Sequence, residues 1–256
     1  MPISIVTRAY RSSELKNLIS NLSQNNELEF EVIAVCNIKD LDYEGITVIV
    51  ENSSRFKAKI TGIWHARFER VLLLDSDQIP EKGLLTELND RTDDMVIIPE
   101  KSLGGKFVSR CLDDWRVRNE RRATENPRPE IPVIPRFYRK KQLTRAAEEI
   151  NQKLFEIVNH EDSVLYHYVY LETKSIGFSS KHILNDDPSL FKLLEKAFQY
   201  GKSDKLTAVL DLPDDLSNFL NKLNLNSLNI VELGIGRGVF LQLLRGFFYE
   251  IGKTFG

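Results

Sequence analysis

The chain has 256 residues, 42% hydrophobic and 28% charged, with a formal net charge of −2. That is enough to bury one large α/β domain with a short appendage, and it gives no global charge reason to expect nucleic acid as a partner. The two cysteines, Cys36 and Cys111, lie far apart with no second Cys or His at metal-ligand spacing, so both read as reduced thiols of a cytosolic protein. Met1 to Tyr10 reads as a strand followed by polar residues rather than a signal peptide, and no run reaches the roughly 18 apolar residues of a spanning helix.

In chain order, Ile3-Ser-Ile-Val-Thr7 predicts a strand, and Ser12 followed by Leu15, Leu18, Ile19 and Leu22 predicts a helix with Glu14 in its first turn. Glu31–Cys36 and Ile46–Val50 are the second and third strands. Only about nine residues separate them, fewer than the dozen or so of a usual parallel crossover, so spacing does not orient this pair. Ser53 or Ser54 caps a helix running through Trp64 to Arg67; Pro80-Glu81 opens another with Leu84, Leu85 and Leu88; Met95–Ile98 is a further strand. Strand and helix alternate through the first hundred residues, which predicts a doubly wound nucleotide-binding half.

Between them lies Arg70-Val-Leu-Leu-Leu-Asp-Ser-Asp-Gln-Ile-Pro80, an apolar run that ends at Asp75 and Asp77. Lack of polar alternation marks a strand covered on both faces, and the carboxyl edge of such a sheet is where ligands bind. Asp-x-Asp offers two hard oxygen donors, suited to Mg²⁺ or Mn²⁺ carrying a diphosphate. The same residues also favour turns and helix entry, so the motif needs supporting features elsewhere.

From Leu103 the texture changes. Gly104-Gly105 reads as a joint, and Arg116 to Arg145 carries ten Lys or Arg against three acids, interleaved with Pro127, Pro129, Pro132 and Pro135. This predicts an irregular binding loop for a phosphorylated or lipid-linked acceptor, or else a solvated face with ion pairs. His160-Glu-Asp162 precedes an apolar helix with Val164, Leu165, Tyr168 and Leu171, which puts two carboxylates in its first turn. Lys181 to Pro188 reads as a turn, followed by a helix that ends at Tyr200-Gly201-Lys-Ser203.

Together these features resemble the family-2 glycosyltransferases of the GT-A fold, over about Ile3 to Ser203. The matching pieces are Ile3 to Thr7 with Arg8, the helix around Ala58-Lys59 and Gly62, the strand ending Asp75-Ser-Asp77, Ile134 to Arg139, Glu161-Asp162, and Lys196 to Gly201. The resemblance implies a GT-A α/β domain over 1–204, with a nucleotide-binding half (1–100) and an acceptor half (101–204). It implies that Asp77 and Asp75 hold Mn²⁺ or Mg²⁺ and the diphosphate of a nucleotide sugar. It further implies that Asp162 is the general base of an inverting displacement, with Thr7, Arg8, Asn37, Lys59 and Ser76 toward the nucleotide and Glu161, Arg136 and Arg139 toward a carbohydrate or lipid-linked acceptor. The sequence departs from the family at Asn37 in place of an Asp, with Asp40 nearby, and at Lys59-Ile60 in place of Arg-Asn. Asn185-Asp186-Asp187 replaces a usual histidine, for which His182 is a substitute, and Gln199-Tyr-Gly-Lys202 only echoes the motif of processive synthases.

The stretch from Lys205 to Asn229 reads as a tether, and residues 205–256 as a helical tail. Phe240, Leu243, Leu244, Phe247, Phe248, Ile251 and Phe255 make an apolar stripe, suited to packing on the catalytic domain or a dimer partner, or to peripheral membrane contact through 238–255 at the inner face of the cell membrane. Glu232 to Gly238 superficially resembles a methyltransferase glycine-rich loop, but too little chain follows to build that sheet. Two further readings stay open: a degenerate nucleotide- or membrane-binding module, and a haloacid-dehalogenase-like phosphatase.

Overall fold

The computed structural model describes residues 2–23, 28–37, 46–157, 159–208, 210, 212–228 and 237–256. Asp40 and most of the Glu232–Gly238 segment lie outside the described residues.

Seven strands form the main sheet in the order β3-β2-β1-β4-β8-β6-β9: β1 (Ile3–Ala9), β2 (Phe30–Cys36), β3 (Ile46–Val50), β4 (Arg70–Asp75), β6 (Met95–Ile97), β8 (Pro135–Arg139) and β9 (Ile176–Phe178). All neighbours are parallel except β8, which runs antiparallel to both β4 and β6. The β2–β3 pair, left unoriented by its spacing, is parallel. A second sheet, ordered β5-β10-β7, is built from Gln78–Pro80, Ile183–Asn185 and Glu100–Ser102.

The sheet is covered on both sides, which explains the unbroken apolar run of β4. Val71 and Leu73 join Phe56, Ile60 and Ile63 of α2 (Arg55–His65), Leu143 of α5 (Lys140–Glu149) and Val164 and Leu165 of α6 (Glu161–Glu172). Leu72 and Leu74 face the other way, onto Leu18 and Leu22 of α1 (Ser12–Leu22) and Leu84, Leu85 and Leu88 of α3 (Leu84–Asn89). Successive strand residues point to opposite faces, so a two-sided sheet leaves no polar position along such a strand.

Several predicted elements differ. Pro80 ends a strand rather than opening a helix; α3 starts after Gly83, whose φ of 83° is one that a residue with a Cβ adopts only under strain. The Pro-rich basic segment is an irregular loop only across 126–134. Its first part belongs to a 19-residue helix, α4 (Phe107–Glu125), and its last part is β8 and α5. Pro135 is tolerated because it takes the first position of its strand. Lys181 to Pro188 contains β10 instead of being only a turn.

The chain after Ser203 is mostly helical. α7 (Leu190–Thr207) runs across the expected boundary at 204, and most of the expected tether is α8 (Asp214–Leu228), whose Leu216, Phe219, Leu220 and Leu223 enter the main core. The last helix, α9 (Arg237–Phe255), lies against α7 and α4. Its crossing with α7 is close because both helices offer glycine: a Cβ on Gly201 would stand 1.9 Å from the Tyr249 carbonyl oxygen, and one on Gly252 2.0 Å from that of Phe198.

Candidate active site

The sheet topology brings charged residues from four elements to one edge. β4 delivers Asp75 at its carboxyl end, and β8, running the opposite way, delivers Arg136 at its start beside it. Helix α2 begins at Ser54, whose hydroxyl accepts from the Lys57 N–H at 3.1 Å and donates to the Phe155 carbonyl. Arg55 and Lys59 follow four residues apart and so share one helix face. Helix α6 contributes Glu161 and Asp162 in its first turn, where the helix dipole favours carboxylates.

These groups form one buried ionic network. Lys59 Nζ donates to Asp162 Oδ1, and stands 3.9 Å from Asp75 Oδ1 and 4.0 Å from Glu161 Oε1. Arg55 bridges Asp75 Oδ2 at 3.0 Å and Glu161 Oε1 at 2.9 Å. Arg136 reaches Asp162 Oδ2 at 3.2 Å, Glu100 Oε1 at 3.0 Å and Asp75 Oδ2 at 3.8 Å. Burial by itself would raise the pKa of Asp75 and Asp162, but the surrounding cations outweigh it. Arg55, Lys59 and Arg136 hold Asp75 far below the carboxylate range, and Lys59 and Arg136 hold Asp162 below it. Both are ionised at neutral pH. Burial opposes the charge of Arg136, and the carboxylates of Asp162, Glu100 and Asp75 more than restore it.

Asp77 differs from Asp75. It is exposed two residues beyond the end of β4, and the protein mass around it together with the charge of Asp75 pushes its pKa up. The small sheet fixes the rim. Gln78 accepts from the Asp75 N–H at 3.0 Å and donates to Asn185 Oδ1 at 3.2 Å, and Asn185 donates to Glu100 Oε2 at 3.2 Å. Arg116 of α4 pairs with Asp113 at 3.0 Å and Asp187 at 2.8 Å. A cavity of about 280 Å³ opens against Asp162, walled by Arg136, Glu161, Tyr200 and Glu100, with Trp115 and Ile134 as apolar surface.

Lys59, Asp75, Arg136, Glu161 and Asp162 of the expected set therefore converge, with Asp77 at their rim. Ser76 is adjacent and donates to Glu14 Oε2 at 3.1 Å. Thr7 is buried on β1, its hydroxyl without a hydrogen-bond partner among the described residues, next to Leu74 in register. Arg8 pairs in register with Asp75, but its guanidinium donates to the Ser53 carbonyl at 2.6 Å and lies over the Tyr10 ring. Asn37 is exposed just past β2. Arg139 is not brought to the cluster: it sits opposite Arg70 at the far end of β4 and pairs with Asp94 at 2.8 Å. His182 is held by Glu81, 2.9 Å from its Nδ1, while Asn185 belongs to the rim network. Glu100, Trp115 and Tyr200 carry no signal in the sequence that marks them for the site; Arg55, four residues before Lys59 just after a Ser cap, does.

Among the described residues, no group of three or more His, Cys, Asp or Glu converges as a ready metal cage. The donors present do fit a divalent ion that takes one or two carboxylates from the protein and its other ligands from phosphates and water. Asp77 is exposed and carries a charge that a nearby cation would stabilise, and Asp75 Oδ1 keeps acceptor capacity beside Lys59 at 3.9 Å.

No protein-family model matches the chain, and no curated protein matches it by sequence. Solved structures do. S. aureus TarS residues 1–349 superposes with a TM-score of 0.57 at 17% identity, covering 99% of this chain and 81% of that one. The same protein in complex with UDP-GlcNAc gives 0.56 at 17%, covering 94% and 79%. The mannosyltransferase PcManGT from Pyrobaculum calidifontis, in complex with GDP-Man and Mn²⁺, gives 0.59 at 12%, covering 99% and 75%. The mainly parallel sheet flanked by helices is shared with these proteins, and the chain has the GT-A fold of glycosyltransferases.

Proposed function

We propose that the chain is an inverting glycosyltransferase that moves a sugar from a nucleoside-diphosphate sugar to an acceptor hydroxyl. The observation that carries this is the meeting of Asp162, Lys59, Asp75 and Arg136 at the sheet's carboxyl edge, beside a cavity of about 280 Å³. Nucleotide sugars are ligands of the similar structures, which supports the donor class.

In the displacement, the acceptor oxygen forms a bond to the anomeric carbon as the bond to the β-phosphate oxygen breaks, and the electron pair leaves with the diphosphate. Asp162 is ionised and takes the acceptor proton, a role typically worth about 10²–10⁴-fold. Arg55 and Lys59 supply fixed positive charge at the edge where the leaving phosphate gains negative charge. A Mn²⁺ or Mg²⁺ ion held by Asp77 with Asp75 would add Lewis-acid stabilisation of that phosphate. Trp115, which lines the cavity, offers the sugar an apolar wall.

The acceptor we propose is a carbohydrate, lipid-linked when presented at the inner face of a membrane. Phe240, Leu243 and Phe247 support this, since they stand exposed on one side of α9. No helix among the described residues is long and apolar enough to cross a membrane, so the contact would be peripheral. The second reading, a binding module without turnover, is favoured by Asp162 having both oxygens engaged by cations.

Isothermal titration with UDP and GDP, with and without Mn²⁺, tests the reading on the wild type and Asp77→Ala. The expected result is metal-dependent binding of one nucleotide that the variant loses, followed by transfer from the matching nucleotide sugar with inversion at the anomeric carbon. Binding of neither nucleotide under any metal would overturn it, and binding without transfer to any acceptor would favour the module.

A further inference from the structure

A second cavity, about 210 Å³, lies behind the turn that carries Asp162. Asn159 and His160 line both this cavity and the cleft, so these two residues form the partition between them. The turn is unusual. His160 has φ 66°, the one non-glycine residue in the left-handed region among the described residues, and its carbonyl accepts from the Val164 N–H at 2.9 Å as the first hydrogen bond of α6. A backbone in that conformation persists when its surroundings hold it.

What lies behind it is Asp204 of α7. Asn159 Nδ2 donates to both oxygens of Asp204, at 3.2 and 3.3 Å, and His160 Nε2 stands 3.9 Å from Oδ2. That same Oδ2 accepts from the Tyr249 hydroxyl of α9 at 2.6 Å. The carboxylate therefore ties the last helix to the two residues that precede Glu161 and Asp162. Docking of α9 does not depend on this hydroxyl, since backbone contact at Gly201 and Gly252 already sets the helix crossing.

We infer that Tyr249 and Asp204 are positioning residues, through which the C-terminal helix holds the 159–160 turn and so fixes the aim of the Asp162 carboxylate. The inference rests on the glycosyltransferase reading for its catalytic consequence, and on geometry alone for the coupling. Tyr249→Phe removes one hydroxyl and keeps the ring that packs α7; Asp204→Asn keeps the shape and removes the charge.

Two measurements on the full chain test it. Hydrogen exchange of the amides over residues 159–166 should be faster in Tyr249→Phe by roughly five- to tenfold, the loss of one hydrogen bond. In steady-state transfer, kcat should fall roughly 10- to 100-fold, with the KM for donor and the affinity for free nucleotide unchanged. Asp204→Asn should behave the same way. Unchanged exchange at 159–166 in both variants would overturn the coupling, whatever the activity. Faster exchange with unchanged kcat would overturn the positioning role. Faster exchange in a protein whose wild type transfers no sugar would leave the coupling standing and fail the transferase reading instead.

Discussion

Lys59 Nζ donates to Asp162 Oδ1 across 103 residues of chain, joining the first turns of α2 to the start of α6. The same ammonium is 3.9 Å from Asp75 and 4.0 Å from Glu161, and its side chain is only 3% exposed. One buried cation thus stands among three carboxylates from two elements. Removing one partner from such a cluster leaves charge buried and uncompensated.

Lys59→Met is accordingly expected to destabilise the protein by about 3 kcal/mol, measured by urea unfolding at neutral pH. Lys59 and Arg136 both lower the pKa of Asp162 against the effect of burial, so losing Lys59 lets it rise. In the wild type, the stability this carboxylate contributes at neutral pH disappears only as pH falls through its lowered folded-state value; in the variant the loss starts at higher pH. A variant as stable as wild type at pH 7 would show that the pair contributes nothing.

Asp162→Asn should keep the shape of the site and lose the proton acceptor. Turnover should drop by about 10²–10⁴-fold, with nucleotide affinity changed by less than about threefold. Because the folded-state pKa lies below the ordinary Asp value of about 3.9, wild-type kcat should show no acid limb from Asp162 between neutral pH and about pH 5. Full turnover in the variant would move the base elsewhere.

How far the sequence reveals this site depends on how each group is delivered. Asp75 and Asp162 are legible because each ends or opens an element with a strong apolar signature. Arg136 is harder: its Pro- and Arg-rich surroundings resemble a solvated loop, yet β8 is an inner strand, and Arg136 tolerates burial because Asp162, Glu100 and Asp75 come to it from three other elements. Glu100, Trp115 and Tyr200 meet only through the tertiary fold, so no spacing announces them. Antiparallel insertion of β8 also separates Arg136 from Arg139, which an extended strand of unknown direction leaves undecided.

A stability switch of a different kind lies at the opposite end of the sheet. Glu31 accepts from the Ser4 hydroxyl at 2.6 Å, the Arg67 N–H at 2.7 Å and Arg67 Nε at 2.6 Å. Burial alone would raise its pKa, but these bonds outweigh that and bring it below the ordinary value. Its contribution is therefore present above the unfolded pKa, about 4.3, and lost as pH falls through the lower folded value. Glu31→Gln should cost about 1–3 kcal/mol at pH 7. The difference from wild type should shrink as pH drops below about 4, a trend thermal unfolding across pH would reveal; a gap constant with pH would contradict the ionic account.

Gly201 has no room for a methyl group, because the neighbouring atom is the Tyr249 carbonyl oxygen of another helix backbone and not the movable end of a side chain. Gly201→Ala should push α9 away from α7 and cost about 1–3 kcal/mol. Proteolysis should then cut within 237–255 faster than in wild type. Equal protection of that segment would mean that the added methyl is accommodated without moving α9 off α7.

The outer side of α9 makes the last prediction. Phe240, Leu243 and Phe247 are 60%, 54% and 62% exposed, at offsets of three and four, while Leu241 and Tyr249 on the other side are buried against α4 and α7. One helix therefore has an inner face spent on its own fold and an outer face with three large apolar groups in water. Burying each in a bilayer interface would recover about 1.5–3 kcal/mol, enough for reversible attachment. Wild-type protein should float with anionic liposomes, and the triple variant Phe240→Ser, Leu243→Ser, Phe247→Ser should stay in solution with an unchanged melting temperature. Flotation that survives the triple change would place the membrane contact on another surface, and absence of flotation in the wild type would leave this face for a protein partner.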